Sequence, residues 1–242
     1  MMMQEQIHAE AGGAVVCDAS LAPAADARWF DPAYWQQGGA VHVLGGGRGG
    51  VAVIDTPAGV GVLRHYHRGG LVARFNRDRY LWAGADRTRS FAEFRLLAHA
   101  AALGLPAPRP IAARYVRHGL FYTADLITRR IEDAQTLAQC LAADRLDADL
   151  ARETGALVAR FHRAGIWHAD LNAHNVLVSG GALYLIDFDR GELRTPAEGW
   201  RLANLARLRR SLLKLGAATR IPGFQAAVWE PLLYGYERTL GA

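Results

Sequence analysis

The stretch IWHADLNAHNVLVSGGALYLIDFDR, residues 166–190, constrains the fold of this 242-residue chain more than any other. Its two short apolar runs, VLV and LYLI, are joined by Ser-Gly-Gly, which is typical of a tight hairpin. Asp170 and Asn175 precede the first run, and Asp187 follows the second. A hairpin at this place would hold three oxygen-bearing side chains at fixed distances from one another.

The rest of the chain divides into a strand-rich half and a helical half. The first half has predicted strands at Ala40–Leu44, Val51–Ile54, Gly61–Tyr66, Pro110–Arg117 and Leu120–Ile127. One helix, from Phe91 to about Leu103, is predicted between the third and fourth of these strands. Helices follow at Thr136–Leu146, Asp147–Arg163 and Gly199–Leu215. This segregation predicts an α+β fold of two lobes rather than a doubly wound parallel sheet.

The predicted N-lobe covers residues 1–127 and consists of antiparallel strands with one helix. It includes an N-terminal extension, residues 1–38, in which the pattern is weak. Residues 1–30 receive no assignment. The mainly helical C-lobe covers residues 128–242 and contains the hairpin. We expect the N-lobe to bind nucleotide phosphates and the C-lobe to carry the catalytic loop, the metal site and the acceptor site.

Composition narrows the class of protein. Of the 28 basic residues 27 are arginines, Lys214 is the exception, and the net charge is +5. Two explanations of the arginine excess are equally good: a coding bias, and a need for guanidinium groups that bind phosphates or carboxylates at two points.

The two cysteines, Cys17 and Cys140, are too few for a disulfide scaffold, and no apolar run approaches the ~20 residues that span a bilayer. We therefore expect a protein of a reducing compartment, without a secretory leader. Nothing in the sequence matches a nucleic-acid-binding motif.

The opening stretch also carries a pattern with a known chemistry. His168-x-Asp170, Asn175 five residues later and Asp187-Phe188 beyond the hairpin match H-x-D-x-x-x-x-N … D-F of protein-kinase-like phosphotransferases. Phosphoryl transfer depends mostly on positioning and charge neutralisation. We predict that His168 and Asp170 belong to the catalytic loop, with Asp170 as the base. Asn175 and Asp187 are the predicted oxygen ligands of Mg²⁺.

A glycine-rich turn, GGGRGG, lies between the first two strands of the meander. Gly45, Gly47 and Gly50 would let backbone N–H groups approach the phosphates of ATP. Arg48 is a further candidate phosphate ligand in the same turn. A plain glycine-rich hairpin turn remains an alternative, because Val51 follows Gly50 directly and the kinase pattern is not matched in full.

The third strand lacks the lysine with which protein kinases hold the α- and β-phosphates. Arg64 stands at that position in V-L-R, and Glu93 on the following helix is its predicted ion-pair partner. Ser90-Phe-Ala-Glu93 also matches a helix capping box, so Glu93 has two possible roles. Asp189 stands where protein kinases have the glycine of D-F-G, and it tolerates a positive φ better than most residues.

Several segments together resemble the 3-deoxy-D-manno-octulosonic acid (Kdo) kinases, a lipopolysaccharide branch of the kinase-like fold. These are HADLNAHN, LIDFDR, VLRHYHRGG and the helix SFAEFRLL with LPAPRP, spread from about residue 30 to 220. The resemblance implies that ATP phosphorylates the 4-hydroxyl of a Kdo residue on Kdo-lipid IVA. It also implies a cytoplasmic protein with peripheral contact to the inner membrane of a Gram-negative bacterium. Seven arginines between residues 64 and 89 suit such an anionic substrate or an anionic bilayer.

Two other functions remain open. The same fold serves kinases of heptose, aminoglycoside or choline type, although the basic segment before Ser90 disfavours a cationic acceptor. A pseudokinase that only binds nucleotide or a partner is suggested by the missing lysine. The presence of the base and both predicted metal ligands argues against it.

Overall fold

The computed structural model describes residues 3–36, 41–43 (backbone only), 51–67 and 78–242. The chain forms two compact units, residues 1–102 with 108–130 and residues 103–107 with 131–242. The boundary thus follows Arg130 rather than residue 127. Residues 103–107 belong to the second unit because Arg160 donates to the carbonyl of Gly104 and the amide of Leu185 donates to that of Pro106.

The first unit is built on one antiparallel sheet in the order β1-β2-β7-β8-β5-β4-β3, with β6 also paired to β8. The strands are β1 (Glu5–Glu10), β2 (Gly13–Asp18), β3 (Val41–Val43), β4 (Val51–Thr56), β5 (Gly59–His65), β6 (Tyr80–Leu81), β7 (Pro110–His118) and β8 (Phe121–Arg129). In the described part of this unit the strands are accompanied by the helices α1 (Pro32–Gln36) and α2 (Arg89–Ala102), with short 3-10 turns at Ala27–Phe30 and Ala85–Arg87.

The two faces of this sheet are covered by different segments. On one face α2 packs against β7, where the Phe91 ring contacts Tyr115 at 5.2 Å between centroids. On the other, the aromatic side chains of residues 27–36 share a core with Ile54 and Leu63. Because side chains alternate along a strand, Leu63 and Arg64 point to opposite faces. Arg64 therefore faces α2.

The N-terminal hairpin, β1 and β2, is an element that the sequence did not reveal. β1 is an edge strand with mostly exposed side chains, so it lacks the apolar alternation of a half-buried strand. β2 pairs with β7, about a hundred residues away, with Val16 opposite Ala113. At its end the Asp18 carboxylate is fully buried and accepts hydrogen bonds from Ser20 and Arg109. Residues 3–18 thus form an integral edge of the sheet.

The second unit is mainly helical. Its helices are α3 (Leu137–Ala142), α4 (Ala148–Arg163), α5 (Glu198–Lys214), α6 (Ala217–Arg220) and α7 (Glu230–Gly241), the last preceded by a π-helical turn at Gln225–Trp229. Its strands are β9 (Gln135–Thr136), β10 (Ile166–Trp167), β11 (Val176–Ser179), β12 (Ala182–Leu185) and β13 (Glu192–Leu193). They form the small sheets β12-β11-β9 and β10-β13.

Helices α4 and α7 lie unusually close together. A Cβ on Gly155 would approach the carbonyl oxygen of Leu232 to 1.9 Å, and one on Gly235 would approach that of Arg152 to 2.1 Å. Two glycines therefore permit backbone contact between the helices. This packing supports α4, which leads directly into β10 and the hairpin of β11 and β12.

Two helices differ from the sequence-based prediction, one at its start and one at its end. The capping box at Ser90 is wrong: α2 begins at Arg89, and Ser90 Oγ instead donates to the carbonyl of Arg114. Helix α3 does have a capping box, formed by Thr136 and Gln139, but it ends at Ala142 rather than near Leu146. Among the described residues no helix has the length and apolar character required to span a membrane.

Candidate active site

His168 lies beneath the loop that joins β10 to β11. Its ring is buried, at 2% exposure, and both nitrogens bond to the main chain. Nδ1 accepts from the amide of Asp170 at 3.1 Å, so Nε2 carries the proton and donates to the carbonyl of Ile186 at 2.9 Å. Burial lowers the pKa of His168, which keeps the ring neutral. The histidine thus ties the loop to the residue before Asp187.

Asp170 presents its carboxylate to solvent. The side chain is 55% exposed and both oxygens are held, Oδ2 by Asn172 Nδ2 at 3.0 Å and Oδ1 by Arg207 Nη1 at 3.2 Å. A carboxylate that is exposed and fixed in direction can accept a proton from an incoming hydroxyl. The predicted base therefore has the exposure and the orientation that this role requires.

Asn175 and Asp187 flank the hairpin of β11 and β12 at the same end. The register of the two strands continues to Asn175 and Ile186, because the amide of Ile186 donates to the carbonyl of Asn175 at 3.0 Å, and Asp187 is the next residue. Asn175 Nδ2 donates to the carbonyl of Asp170 at 2.9 Å, which leaves Oδ1 as the amide atom for a cation. Asp187 is exposed and adopts a left-handed conformation, with φ of 62°.

This donor set fits Mg²⁺. One carboxylate and one amide oxygen are typical protein ligands of a magnesium ion whose other positions go to phosphates and water. Among the described residues no group of three or more histidine, cysteine or carboxylate side chains could hold a metal by itself. A carboxylate and an amide oxygen thus suit a cation whose remaining ligands come from a nucleotide.

Phe188 anchors the segment that carries Asp187. Its buried ring stacks on Phe161 of α4 at 5.5 Å and contacts His168 at 4.9 Å between centroids. Positive φ angles occur at Asp187 and Arg190, whereas Asp189, for which the sequence suggested one, has none. The acid of Asp187 is thus exposed while the ring of the next residue, Phe188, is buried.

In the first unit Arg64 and Glu93 form an ion pair. Arg64 Nη2 lies 2.5 Å from Glu93 Oε2, and Tyr66 donates to the same oxygen at 2.5 Å. Glu93 is 3% exposed, while the Arg64 side chain retains 25% exposure and lies over the Tyr66 ring. The buried acid fixes the strand-borne arginine. The role of Arg64 toward phosphates stays a prediction, and Gly45, Gly47, Arg48 and Gly50 lie outside the described residues.

Helix α5 contributes residues to the site that the sequence reading missed. Asn204, Arg207 and Ser211 all contact the catalytic loop, through His168, Asp170 and Ala173. Their spacing places them on one side of a helix. An asparagine beside the buried Leu205 and Leu208 was the available signal, because a polar residue in a core stripe must be hydrogen-bonded.

The sequence is similar to those of known kinases. The sequence profile of the family described as lipopolysaccharide kinase (Kdo/WaaP) matches residues 32–236. The 3-deoxy-D-manno-octulosonic acid kinase of Xanthomonas campestris pv. campestris (strain B100) is 53% identical over 210 residues, which cover 86% of this chain and 84% of that protein. Its counterpart in Stenotrophomonas maltophilia (strain R551-3) is 53% identical over 206 residues, covering 84% and 81%.

Two solved structures share the fold. One is WaaP in complex with acyl carrier protein, with a TM-score of 0.54 and 18% identity over 82% of this chain and 78% of that one. The other is a glucosamine kinase in complex with glucosamine, ADP and inorganic phosphate, with a TM-score of 0.54 and 16% identity over 98% and 83%. At these identities the likeness shows the fold alone. It confirms the predicted kinase-like α+β fold.

Proposed function

The chain belongs to the lipopolysaccharide kinase (Kdo/WaaP) family, and on that premise we propose that it transfers the γ-phosphoryl group of ATP to the 4-hydroxyl of a Kdo residue on Kdo-lipid IVA. Membership in a kinase family implies ATP as the phosphoryl donor. The observation that carries the proposal is the exposed carboxylate of Asp170, held at both oxygens on the loop of the H-x-D-x-x-x-x-N pattern.

Asp170 is the proposed base. Its carboxylate takes the proton of the acceptor hydroxyl while that oxygen forms a bond to the γ-phosphorus. The bond from the γ-phosphorus to the bridging oxygen breaks, and ADP leaves with its electron pair. Because Asn172 and Arg207 hold the carboxylate beforehand, no reorientation is required when the acceptor binds. His168 supports this geometry from below, and its buried ring transfers no proton.

Asn175 and Asp187 are the proposed ligands of Mg²⁺. When bound, the ion offsets the negative charge that the β- and γ-phosphates carry. The amide of Asn175 supplies an oxygen without adding charge, and its Nδ2 hydrogen bond to Asp170 fixes the orientation of that oxygen. Asp187 supplies the charged ligand. Because the ring of His168 is neutral, it does not compete with the cation for the negative charge of Asp187.

Arg64 is the proposed ligand of the α- and β-phosphates. Its guanidinium is partly exposed, and Glu93 and Tyr66 fix it from the buried side. A guanidinium fork suits a phosphate, and its charge persists at any physiological pH. Gly45, Gly47 and Gly50 would complete the phosphate site with backbone N–H groups, and Arg48 with its side chain.

We further propose that the protein works as a peripheral protein at the cytoplasmic face of the inner membrane, where a lipid-linked acceptor is accessible. The outer side of α5 carries Leu202 and Leu213, which are 53% and 39% exposed, together with Arg210 and Lys214. Among the described residues neither of these cations pairs with an acidic side chain. Exposed leucines beside unpaired cations suit a surface of anionic lipids.

Flotation with vesicles tests this location. We expect binding to vesicles containing phosphatidylglycerol at low salt, weaker binding at high salt, and none to phosphatidylcholine alone. Replacing both Leu202 and Leu213 with serine should reduce binding. If the wild type ignores anionic vesicles, or the double variant binds as well as the wild type, this surface has no membrane role.

An acceptor panel tests the reaction itself. Purified protein with ATP and Mg²⁺ should phosphorylate Kdo-lipid IVA. We expect no transfer to lipid IVA without Kdo, or to glucosamine, choline or an aminoglycoside. Transfer to one of the small cationic acceptors alone would favour the alternative kinase class. Nucleotide binding without transfer to any acceptor would favour the pseudokinase.

A further inference from the structure

Arg207 contacts a side chain of the catalytic loop, that of Asp170, whereas Asn204 and Ser211 bond to main-chain groups of the loop. Its Nη1 donates to Asp170 Oδ1 at 3.2 Å, and the side chain remains 46% exposed. Among the described residues this is the one hydrogen bond of Arg207. A guanidinium has five N–H donors, so most of the fork faces solvent beside the proposed base.

The loop does not need Arg207 to keep its shape. Asn204 bonds to both main-chain atoms of His168, and Ser211 Oγ accepts from the amide of Ala173 at 3.1 Å. Asn172 already holds the other oxygen of Asp170. An ion pair between two exposed side chains adds little to stability. The position of Arg207 is therefore better explained by binding than by folding.

We propose that Arg207 binds the carboxylate of the acceptor sugar and thereby selects the hydroxyl that reaches Asp170. This inference rests on the proposed function and names its specificity-determining residue. The guanidinium would contact both carboxylates at once, that of Asp170 through Nη1 and that of the sugar through its remaining donors. Two-point recognition of a planar anion is the characteristic chemistry of arginine.

The geometry of the acceptor agrees with this arrangement. A group bound to Arg207 and a hydroxyl bound to Asp170 would lie within roughly 6–8 Å of each other, the span of two hydrogen bonds and one guanidinium. In a 3-deoxy-2-ulosonic acid the carboxylate is C1, and C4 is the first carbon beyond the ketose centre to carry a hydroxyl. The 4-hydroxyl is therefore the hydroxyl nearest the carboxylate on that side of the ring, and it suits this span.

The test compares two acceptors and four proteins. The acceptors are Kdo-lipid IVA and the same lipid with its Kdo carboxylate replaced by a carboxamide. The proteins are the wild type, Arg207→Met, Arg207→Lys and the matched control Arg209→Met. Arg209 lies on the same helix but bonds to Gln225, away from the loop. The readouts are kcat and KM for each acceptor and the position of the new phosphate.

We expect the wild type to prefer the acid over the amide by about 10- to 100-fold in kcat/KM, the range of a charge-assisted pair. Arg207→Met should lose that preference, mostly through KM for the acid, and should phosphorylate additional hydroxyls. Arg207→Lys should restore part of the preference, and Arg209→Met should behave as the wild type.

Each contrary result has a distinct meaning. Equal use of acid and amide by the wild type overturns the role of Arg207 and leaves the proposed function standing. An equal fall in kcat for both acceptors in Arg207→Met, with the phosphate still at the 4-hydroxyl, would mean that the arginine only orients Asp170. If the wild type phosphorylates neither acceptor, the proposed function fails and this inference falls with it.

Discussion

Asn204 on helix α5 forms hydrogen bonds with both the main-chain amide and the main-chain carbonyl of His168. Its Nδ2 donates to the His168 carbonyl at 3.0 Å, and its Oδ1 accepts from the His168 amide at 3.4 Å. The same oxygen accepts from His162 Nε2 at 3.3 Å. All three side chains are buried. One side-chain amide thus satisfies both the amide and the carbonyl of His168 in the catalytic loop.

Replacing Asn204 with alanine should destabilise the fold and lower the turnover together. The change leaves the main-chain groups of His168 without partners in a buried environment, which costs about 2–4 kcal/mol in the free energy of unfolding. Denaturant unfolding and kcat report the two effects. Arg209→Ala, at an exposed position of the same helix, should change stability by about 0.5 kcal/mol or less. Equal stability of the two variants would contradict the role of Asn204.

Asp187 has a left-handed backbone conformation and is also a predicted ligand of the metal ion. Two substitutions separate the effect of the backbone on stability from the effect of the ligand on activity. Asparagine tolerates the positive φ, so Asp187→Asn should keep the stability within about 0.5 kcal/mol. Alanine should cost about 1–2 kcal/mol more. Both variants should lose at least about 100-fold in kcat/KM, because a charged ligand of the cation is gone. An active Asp187→Asn would remove this residue from the metal site.

The buried His162 makes stability depend on pH. Burial lowers its pKa from 6.5 to about 4, so between these values the unfolded chain binds a proton that the folded chain does not. Stability from this residue is complete above pH 6.5 and is lost as the pH falls to about 4. The loss amounts to about 3 kcal/mol.

The variant His162→Gln should flatten the pH dependence of unfolding between pH 4 and 6.5. Glutamine can still donate to Asn204 and accept from Tyr236, which His162 contacts at 2.9 Å. The exposed His174, replaced by glutamine, is the matched control and should leave the slope unchanged. Parallel curves for His162→Gln and the wild type would contradict the assigned neutral state.

Substitution of Arg64 should change the kinetic parameters for ATP rather than those for the acceptor. We expect Arg64→Ala to lower kcat/KM for ATP by about 10- to 100-fold, the range for loss of a charge-assisted phosphate contact. Tyr66→Phe removes one hydrogen bond to Glu93 and keeps the ring, so its effect should be several-fold at most. Unchanged ATP kinetics in Arg64→Ala would move the phosphate role elsewhere, with Arg48 as the next candidate.

Local signals in the sequence predicted the elements that surround the site. The hairpin of β11 and β12, helix α4 after Asp147, and the leucine stripe of α5 all depend on periodicity and on turn or capping residues that act over a few positions. The spacing of Asp170, Asn175 and Asp187 follows from that hairpin. These features were therefore accessible from short windows of the chain.

Long-range contacts were not accessible in this way. The partner of β2 is β7, and the partner of Asp170 is Arg207, 37 positions along the chain. Ser90 and Glu93 show the opposite error, since a locally valid capping box gives way to tertiary partners. Glu93 bonds to Arg64 and Tyr66, and Ser90 bonds to Arg114. Local motifs state what a residue can do, whereas the tertiary fold decides which partner it meets.

The identity of the phosphorylated product tests the central claim most directly. Wild-type protein and Asp170→Asn are incubated with Mg²⁺, ATP and Kdo-lipid IVA, and the lipid is analysed by mass spectrometry and phosphorus NMR. We predict one added phosphate on the 4-hydroxyl of Kdo with the wild type. With Asp170→Asn we predict product at least about 100-fold slower, the typical range for loss of a general base. Unmodified Kdo after incubation with active, folded wild type, or equal product from the variant, would contradict the account.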